Sequence, residues 1–139
     1  MTIKSLHESV KEYDAKIKKM REELSNEFKA QFKEISQEIF AKYPDIIKFG
    51  WTQYTPYFND GDACVFSYYG MSVCNDPETV DDGIYDWEDM WTAGKKYPEL
   101  AEFENVLSAS TDILLAMFGD HVMITVTPQG IDVDEYEHD

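Results

Sequence analysis

Three histidines and two cysteines are the side chains of this 139-residue chain that could serve as a base or a nucleophile. Nucleophilic catalysis needs Ser or Cys within hydrogen-bond reach of His. His7 falls in a helical pattern and His138 in the last residues, so His121 is the only credible base and Cys64 its only candidate cysteine partner. None of the local signatures that surround catalytic cysteines is present, and a core or edge histidine is the simpler reading of His121. Oxygen ligands occur in Asn59-Asp60-x-Asp62 and Asp81-Asp82-x-x-x-Asp86. Neither follows the twelve-residue calcium-loop spacing with its closing Glu, so both read as solvated turns. No phosphate-cradling glycine loop, His-Glu-x-x-His or Cys-x-x-Cys occurs. The sequence therefore predicts a protein that is not an enzyme, with no catalytic residue, no cofactor and no metal site.

Two binding chemistries remain. Trp51, Gln53, Tyr54, Tyr57 and Asn59 combine aromatic faces with amides, a set that would stack and hydrogen-bond a nucleobase-like ring. The plainer reading is core plus a hairpin turn, and phosphorylated ligands are disfavoured by a single arginine, Arg21. The second chemistry is charge. Residues 1–43 carry nine basic and eight acidic side chains, whereas the remaining 96 carry three and twenty. A shift of that size places a boundary near Tyr43-Pro44 and divides the chain into a 1–43 scaffold and a 44–139 acidic working surface. Within the acidic part, Asp81, Asp82, Asp86, Glu88 and Asp89 alternate with Trp87 and Trp91. Duplex DNA carries about one negative charge per 1.7 Å of axis, and such a face could present a comparable field to a basic groove. The aromatic residues would supply the apolar anchors that give an interface its affinity. Plain solubility also explains a net charge of -16.

The same charge excludes direct nucleic-acid binding and attraction to an anionic membrane, both of which need a Lys/Arg surface. No apolar run reaches the roughly 20 residues of a membrane span, and the first residues lack the apolar segment of a signal peptide. A cytoplasmic location is expected.

The elements that must position these residues begin with a helix. Ile3, Leu6, Val10, Tyr13, Ile17, Met20 and Leu24 recur at three and four, a heptad seam. A four-residue stutter then leads to Phe28, Phe32, Ile35 and Ile39, where a coiled coil unwinds and the seam changes partner. No Gly or Pro interrupts residues 3–42, so one helix about 60 Å long should end at Pro44. Ser25 offers a weaker alternative, an N-cap that would make a helical hairpin. Residues 3–24 are expected to pair with a second copy in a homodimer, with Leu6, Val10, Tyr13, Ile17, Met20 and Leu24 as its seam.

Residues 46–58 and 63–74 are rich in β-branched and aromatic side chains and flank an Asp-Gly turn signal. Both faces of that hairpin are apolar and require cover. Cys64 and Cys74 would share its second strand, too far apart for a disulfide, as buried free thiols. Trp87, Met90 and Trp91 share one face of a short helix; a second helix is expected from Pro98 to Gly119; and residues 121–136 alternate as a second hairpin, with Val122, Ile124, Val126, Ile131 and Val133 on a core face and Thr125, Thr127, Asp132 and Asp134 facing water. The tail from Glu135 should fray. The fold class is thus α+β: a long N-terminal helix, an antiparallel sheet of about four strands and one or two packing helices.

The run from Phe49 to Ser67, with its Trp-Thr-Gln-Tyr-Thr-Pro-Tyr-Phe-Asn-Asp-Gly string before Cys-x-Phe, resembles a segment of small uncharacterised phage and bacterial proteins. The resemblance covers about a seventh of the chain. It implies a prokaryotic or viral setting and, with no activity assigned to that family, transfers no site residues. The expectation from all these features is an acidic, phage-type inhibitor or modulator of a basic, nucleic-acid-handling host protein, one that could act as a DNA mimic. A small-molecule binder using the aromatic hairpin and an assembly protein using the helix are the alternatives.

Overall fold

A computed structural model describes residues 2–58, 61 and 63–138. Helix α1 runs unbroken over Ile3–Lys42. Thr2 and Ser5 cap its start reciprocally, each side-chain oxygen accepting the other's backbone N–H at 3.1 Å. Its end is set at Tyr43, whose N–H still reaches Ile39 O at 2.9 Å before Pro44 stops the ladder. There is no break at Ser25. The stutter does change the seam's surroundings: Phe28 is half-buried, and Phe32, Ser36, Ile39 and Phe40 are buried against the remainder of the chain. Ile35, expected among the packing residues, is exposed instead, because the buried stripe continues by fours through Ser36 to Phe40.

Strands β1 (Lys48–Tyr54), β2 (Ser67–Cys74), β3 (Glu88–Asp89), β4 (Val122–Thr127) and β5 (Gly130–Glu135) form one antiparallel sheet in the order β3-β2-β1-β4-β5. The sheet therefore has five strands where about four were expected; two-residue β3 is too short to show in a sequence pattern. The first hairpin is also looser than its Asp-Gly signal suggested. The chain leaves the ladder at Tyr54 and rejoins it only at Ser67, consistent with Pro56, which has no N–H to give. Asn59, Asp60 and Asp62 lie outside the described residues. Cys64 consequently sits before β2 and is exposed, not buried on a shared strand, while Cys74 at the end of β2 is buried.

Three further helices follow: α2 (Met90–Lys96), α3 (Pro98–Ser108) and α4 (Thr111–Phe118). The single helix expected from Pro98 to Gly119 is two, broken at Ala109-Ser110. Ser108 and Ser110 turn their hydroxyls back onto Asn105 O and Val106 O, competing with the backbone ladder. Leu100, Phe103, Leu107, Leu114 and Met117 are nonetheless all buried, as their spacing required.

Phe49 and Trp51 of β1, Met71 and Val73 of β2 and Ile124 and Val126 of β4 pack against Phe32, Leu100, Phe103 and Leu114 from the helices. A second, smaller core of Cys74, Ile84 and Trp87, with Ile47, Val80 and Met123 against it, arises where residues 75–87 fold over the sheet. The apolar hairpin thus receives cover on both faces at its Ile47 and Cys74 end, while Tyr57, Phe58 and Val65 toward the turn stay exposed.

Backbone detail fixes the register. Between Gly50↔Ser72 and Thr52↔Tyr69 the β1–β2 pairing slips by a bulge, with Gly70 at φ +41°. The Met71 N–H in that bulge donates to Glu104 Oε2 of α3 at 2.7 Å, and the Tyr68 hydroxyl donates to the same oxygen at 2.8 Å. Gly50 is required by close approach, since a Cβ there would sit 2.3 Å from Ile124 O.

Candidate functional site

The proposed aromatic pocket is not one. Trp51 and Gln53 are both 0% exposed and face the helices. The indole Nε1–H donates to Gln53 Oε1 at 3.0 Å, and Gln53 Nε2 donates to Leu114 O at 3.0 Å and Gly119 O at 2.8 Å. Every polar atom of this pair is spent on fastening β1 to the end of α4, so nothing remains to address a ligand. Tyr54 and Tyr57 lie elsewhere, in a stack of rings, and Asn59 is outside the described residues.

That stack was not foreseen as a unit. Tyr54 packs on Tyr69 with centroids 4.0 Å apart and on His138 at 3.7 Å; Tyr57 packs on His138 at 4.4 Å and on His121 at 5.0 Å. His121 Nδ1 and His138 Nε2 are 2.7 Å apart, a hydrogen bond in which one ring donates and the other accepts. His121 takes φ +55°, in the turn after Gly119. Its neighbour Asp120 receives hydrogen bonds from Thr55 N and Oγ1 at 2.7 and 2.6 Å. Burial alone would raise the Asp120 carboxyl, but the Thr55 bonds outweigh it and hold the group below its usual range. The tail expected to fray is instead part of the cluster: Tyr136 N donates to His121 O at 2.8 Å, and its hydroxyl meets that of Tyr85. The alternation that ended at Val133 held no sign of this, because the contacts join residues far apart in the chain.

The acidic face is partly as expected. Asp81, Asp82 and Asp86 are exposed, and among the described residues none of them forms an ion pair. Tyr85 and Trp91 project between them in sequence, 78% and 82% exposed. The basic residues that could neutralise this region are otherwise engaged. Lys48 Nζ donates to Val80 O at 2.6 Å and lies over the Trp87 ring, Lys95 lies over Trp91, and Lys96 pairs with Glu88 at 2.9 Å.

Three of the anchors assigned from sequence have structural duties instead. Trp87 is buried in the second core, its Nε1–H bonded to Thr79 O at 3.1 Å. Helical spacing placed it on the face of Trp91, but helix α2 begins only at Met90, so Trp87 obeys the extended geometry before it. Glu88 is half-buried and accepts from Asn75 as well as pairing with Lys96. Asp89 is the N-cap of α2, accepting from Thr92 N at 3.1 Å. Tyr85, by contrast, is exposed as Trp91 is.

A further acidic group clasps α1 to α3. The Glu99 carboxylate receives hydrogen bonds from Lys42 Nζ and the Tyr43 hydroxyl, which hold it down to about 2 and push both donors up. Tyr97, raised chiefly by burial and then by its bond to Asp45 at 2.5 Å, ties the same corner to the helix end.

The heptad seam lies open. From Ile3 to Leu24 every seam position is exposed, and α1 first meets the body of the protein at Phe28. Among the described residues no helix is long and apolar enough to cross a membrane. No family model, curated protein or solved structure matches the chain.

Proposed function

We propose that the protein is a non-enzymatic binding protein of the cytoplasm that docks, through its acidic face, on a basic, nucleic-acid-handling protein and modulates or inhibits it. The observation that carries this reading is the pairing of exposed aromatic rings, Tyr85 and Trp91, with the unneutralised carboxylates of Asp81, Asp82 and Asp86. Carboxylates held without counter-ions speed and orient encounter with a basic surface, while exposed aromatic side chains supply the apolar contact that such an encounter needs to persist. The resemblance of residues 49–67 to phage and bacterial proteins supports a phage or bacterial setting.

The test is capture from nuclease-treated prokaryotic lysate, elution by a salt step, and competition of the captured protein with duplex oligonucleotide. The reading expects a basic nucleic-acid-binding protein that elutes at moderate salt and is displaced by duplex DNA. Asp81, Asp82 and Asp86 changed together to Lys, and separately Trp91→Ala, should each lose capture with the fold intact. Glu88 and Asp89 are left alone because they hold β3 and α2 in place. Retained capture by both variants overturns the proposal.

A further inference from the structure

The acidic face leaves unexplained the long exposed apolar seam of α1. It runs from Ile3, 89% exposed, to Leu24, 63% exposed. Residues 3–27 project about 37 Å beyond the point where the body begins. A helix of that length with an apolar stripe in water draws no stability from tertiary packing, the main source of helical stability in proteins. At Leu24 the seam enters a groove of about 800 Å³ between α1 and α4, lined by Leu24 and Phe28 on one side and Ile113, Leu115 and Ala116 on the other. Ile113 and Leu115 are themselves exposed, so the apolar seam runs on into the groove, whose apolar residues are rimmed by Arg21, Glu27 and Asp112.

We infer that α1 pairs antiparallel with α1 of a second copy of this chain, and that the first turn of the second copy, led by Ile3, seats in the α1–α4 groove. Size supports the occupant. The seven seam residues with Ile113 and Leu115 are each 38% to 89% exposed, and nine large apolar side chains from each copy suffice for an interface of the roughly 1,200–2,000 Å² that a stable dimer needs. Register supports the seating. In an antiparallel pair the two alternating seam positions face one another, which sets Leu6 against Leu24, Val10 against Met20 and Tyr13 against Ile17 of the second copy. Ile3 then falls opposite Glu27, beside Phe28 and the exposed side of α4. The register one heptad shorter pairs Val10 with Tyr13 and leaves both Leu24 and the groove uncovered.

Charge supports the direction. A parallel pair would set side by side two bodies that each carry twenty acidic and three basic side chains. The antiparallel pair keeps the two Phe28 positions about 40 Å apart along the axis, several Debye lengths of about 8 Å. Asp14 and Lys16 each meet their own copies near the two-fold axis, exposed like-charge contacts that solvent screens. The pair presents its two acidic faces at opposite ends, whatever those faces bind.

Single cysteines test this on the full chain with Cys64, which is exposed, changed to Ser. Leu6→Cys and Leu24→Cys are made separately, mixed after subunit exchange and mildly oxidised. The expected result is a disulfide dimer from the mixture and none from either variant alone, because the antiparallel pair holds the two Leu6 positions about 27 Å apart. Ile113→Glu should weaken dimerisation at least tenfold with an unchanged near-ultraviolet circular dichroism spectrum. A dimer band from Leu6→Cys alone, a monomer by light scattering at about 100 µM, or undiminished dimerisation of Ile113→Glu each overturns the inference.

Discussion

Gln53→Leu isolates the polar knot at the centre of the fold. The side chain is fully buried, and its three hydrogen bonds join Trp51 of β1 to the last turn of α4 and to Gly119 beyond it. Leucine preserves the apolar contacts and most of the volume but orphans the Trp51 Nε1–H and the Gly119 carbonyl; the Leu114 carbonyl stays within the reach of its helix ladder. Each buried group left without a partner costs about 1–3 kcal/mol. Leucine recovers part of this through its extra apolar surface, which leaves a net loss of about 3 kcal/mol. That is a large share of the 5–15 kcal/mol of a typical domain, and at this size it lowers Tm by about 10 °C. The assay is urea denaturation followed by tryptophan fluorescence, with Trp51→Phe and the double variant completing a cycle. Removing donor and acceptor together should be less damaging than the two single changes summed, by about 1–2 kcal/mol. A Gln53→Leu protein as stable as the parent, or additive single changes, would refute the reasoning and reopen Gln53 as a ligand-facing residue.

Gly50→Ala should prevent assembly of the β1–β4 pair, since the new Cβ meets the Ile124 carbonyl backbone and not a flexible side chain; loss of cooperative unfolding in circular dichroism checks it. Native protein should expose one thiol to a disulfide reagent, Cys64, and a second, Cys74, only in denaturant; two fast thiols contradict the packing of β2. Glu99 has a folded-state value of about 2, below its usual 4.5, so its clasp on Lys42 and Tyr43 is fully present above about pH 5 and is lost as pH falls toward 2. The protection factors of the amides in the C-terminal turn of α1, taken against the intrinsic exchange rate at each pH, should fall in that window in the parent protein, whereas Glu99→Gln should already be poorly protected at pH 7.

Much of the architecture was legible because it depends on local spacing. The unbroken α1, its stop at Pro44, the stutter before Phe28 and the buried stripe of α3 and α4 all follow from where apolar residues, Pro and Gly fall along a helix. Strands β4 and β5 were equally plain, but their faces were not: Thr125, read as facing water, is buried, and Val133, read as core, is exposed, because β5 is the sheet edge and β4 is covered on both sides. The sites were less legible. Trp51 and Gln53 carry a ligand-like chemistry, and only their partners, Leu114 and Gly119 more than sixty residues away, show it to be a core fastening. Trp87 and Trp91 have the same letter and helical spacing, yet one is buried and the other bare, because the helix starts between them.

The sequence by itself determined the unbroken α1 with its heptad seam, the existence of β1, β2, β4 and β5 and the division of charge near residue 43, since each rests on the period or composition of neighbouring residues. Tertiary structure alone decided the rest. The order β3-β2-β1-β4-β5, the gathering of Tyr54, Tyr57, His121 and His138 into one stack, and the groove where the seam meets α4 depend on contacts across long chain separations. Side-chain period cannot encode such contacts; they follow from which buried faces the packed layers bring together.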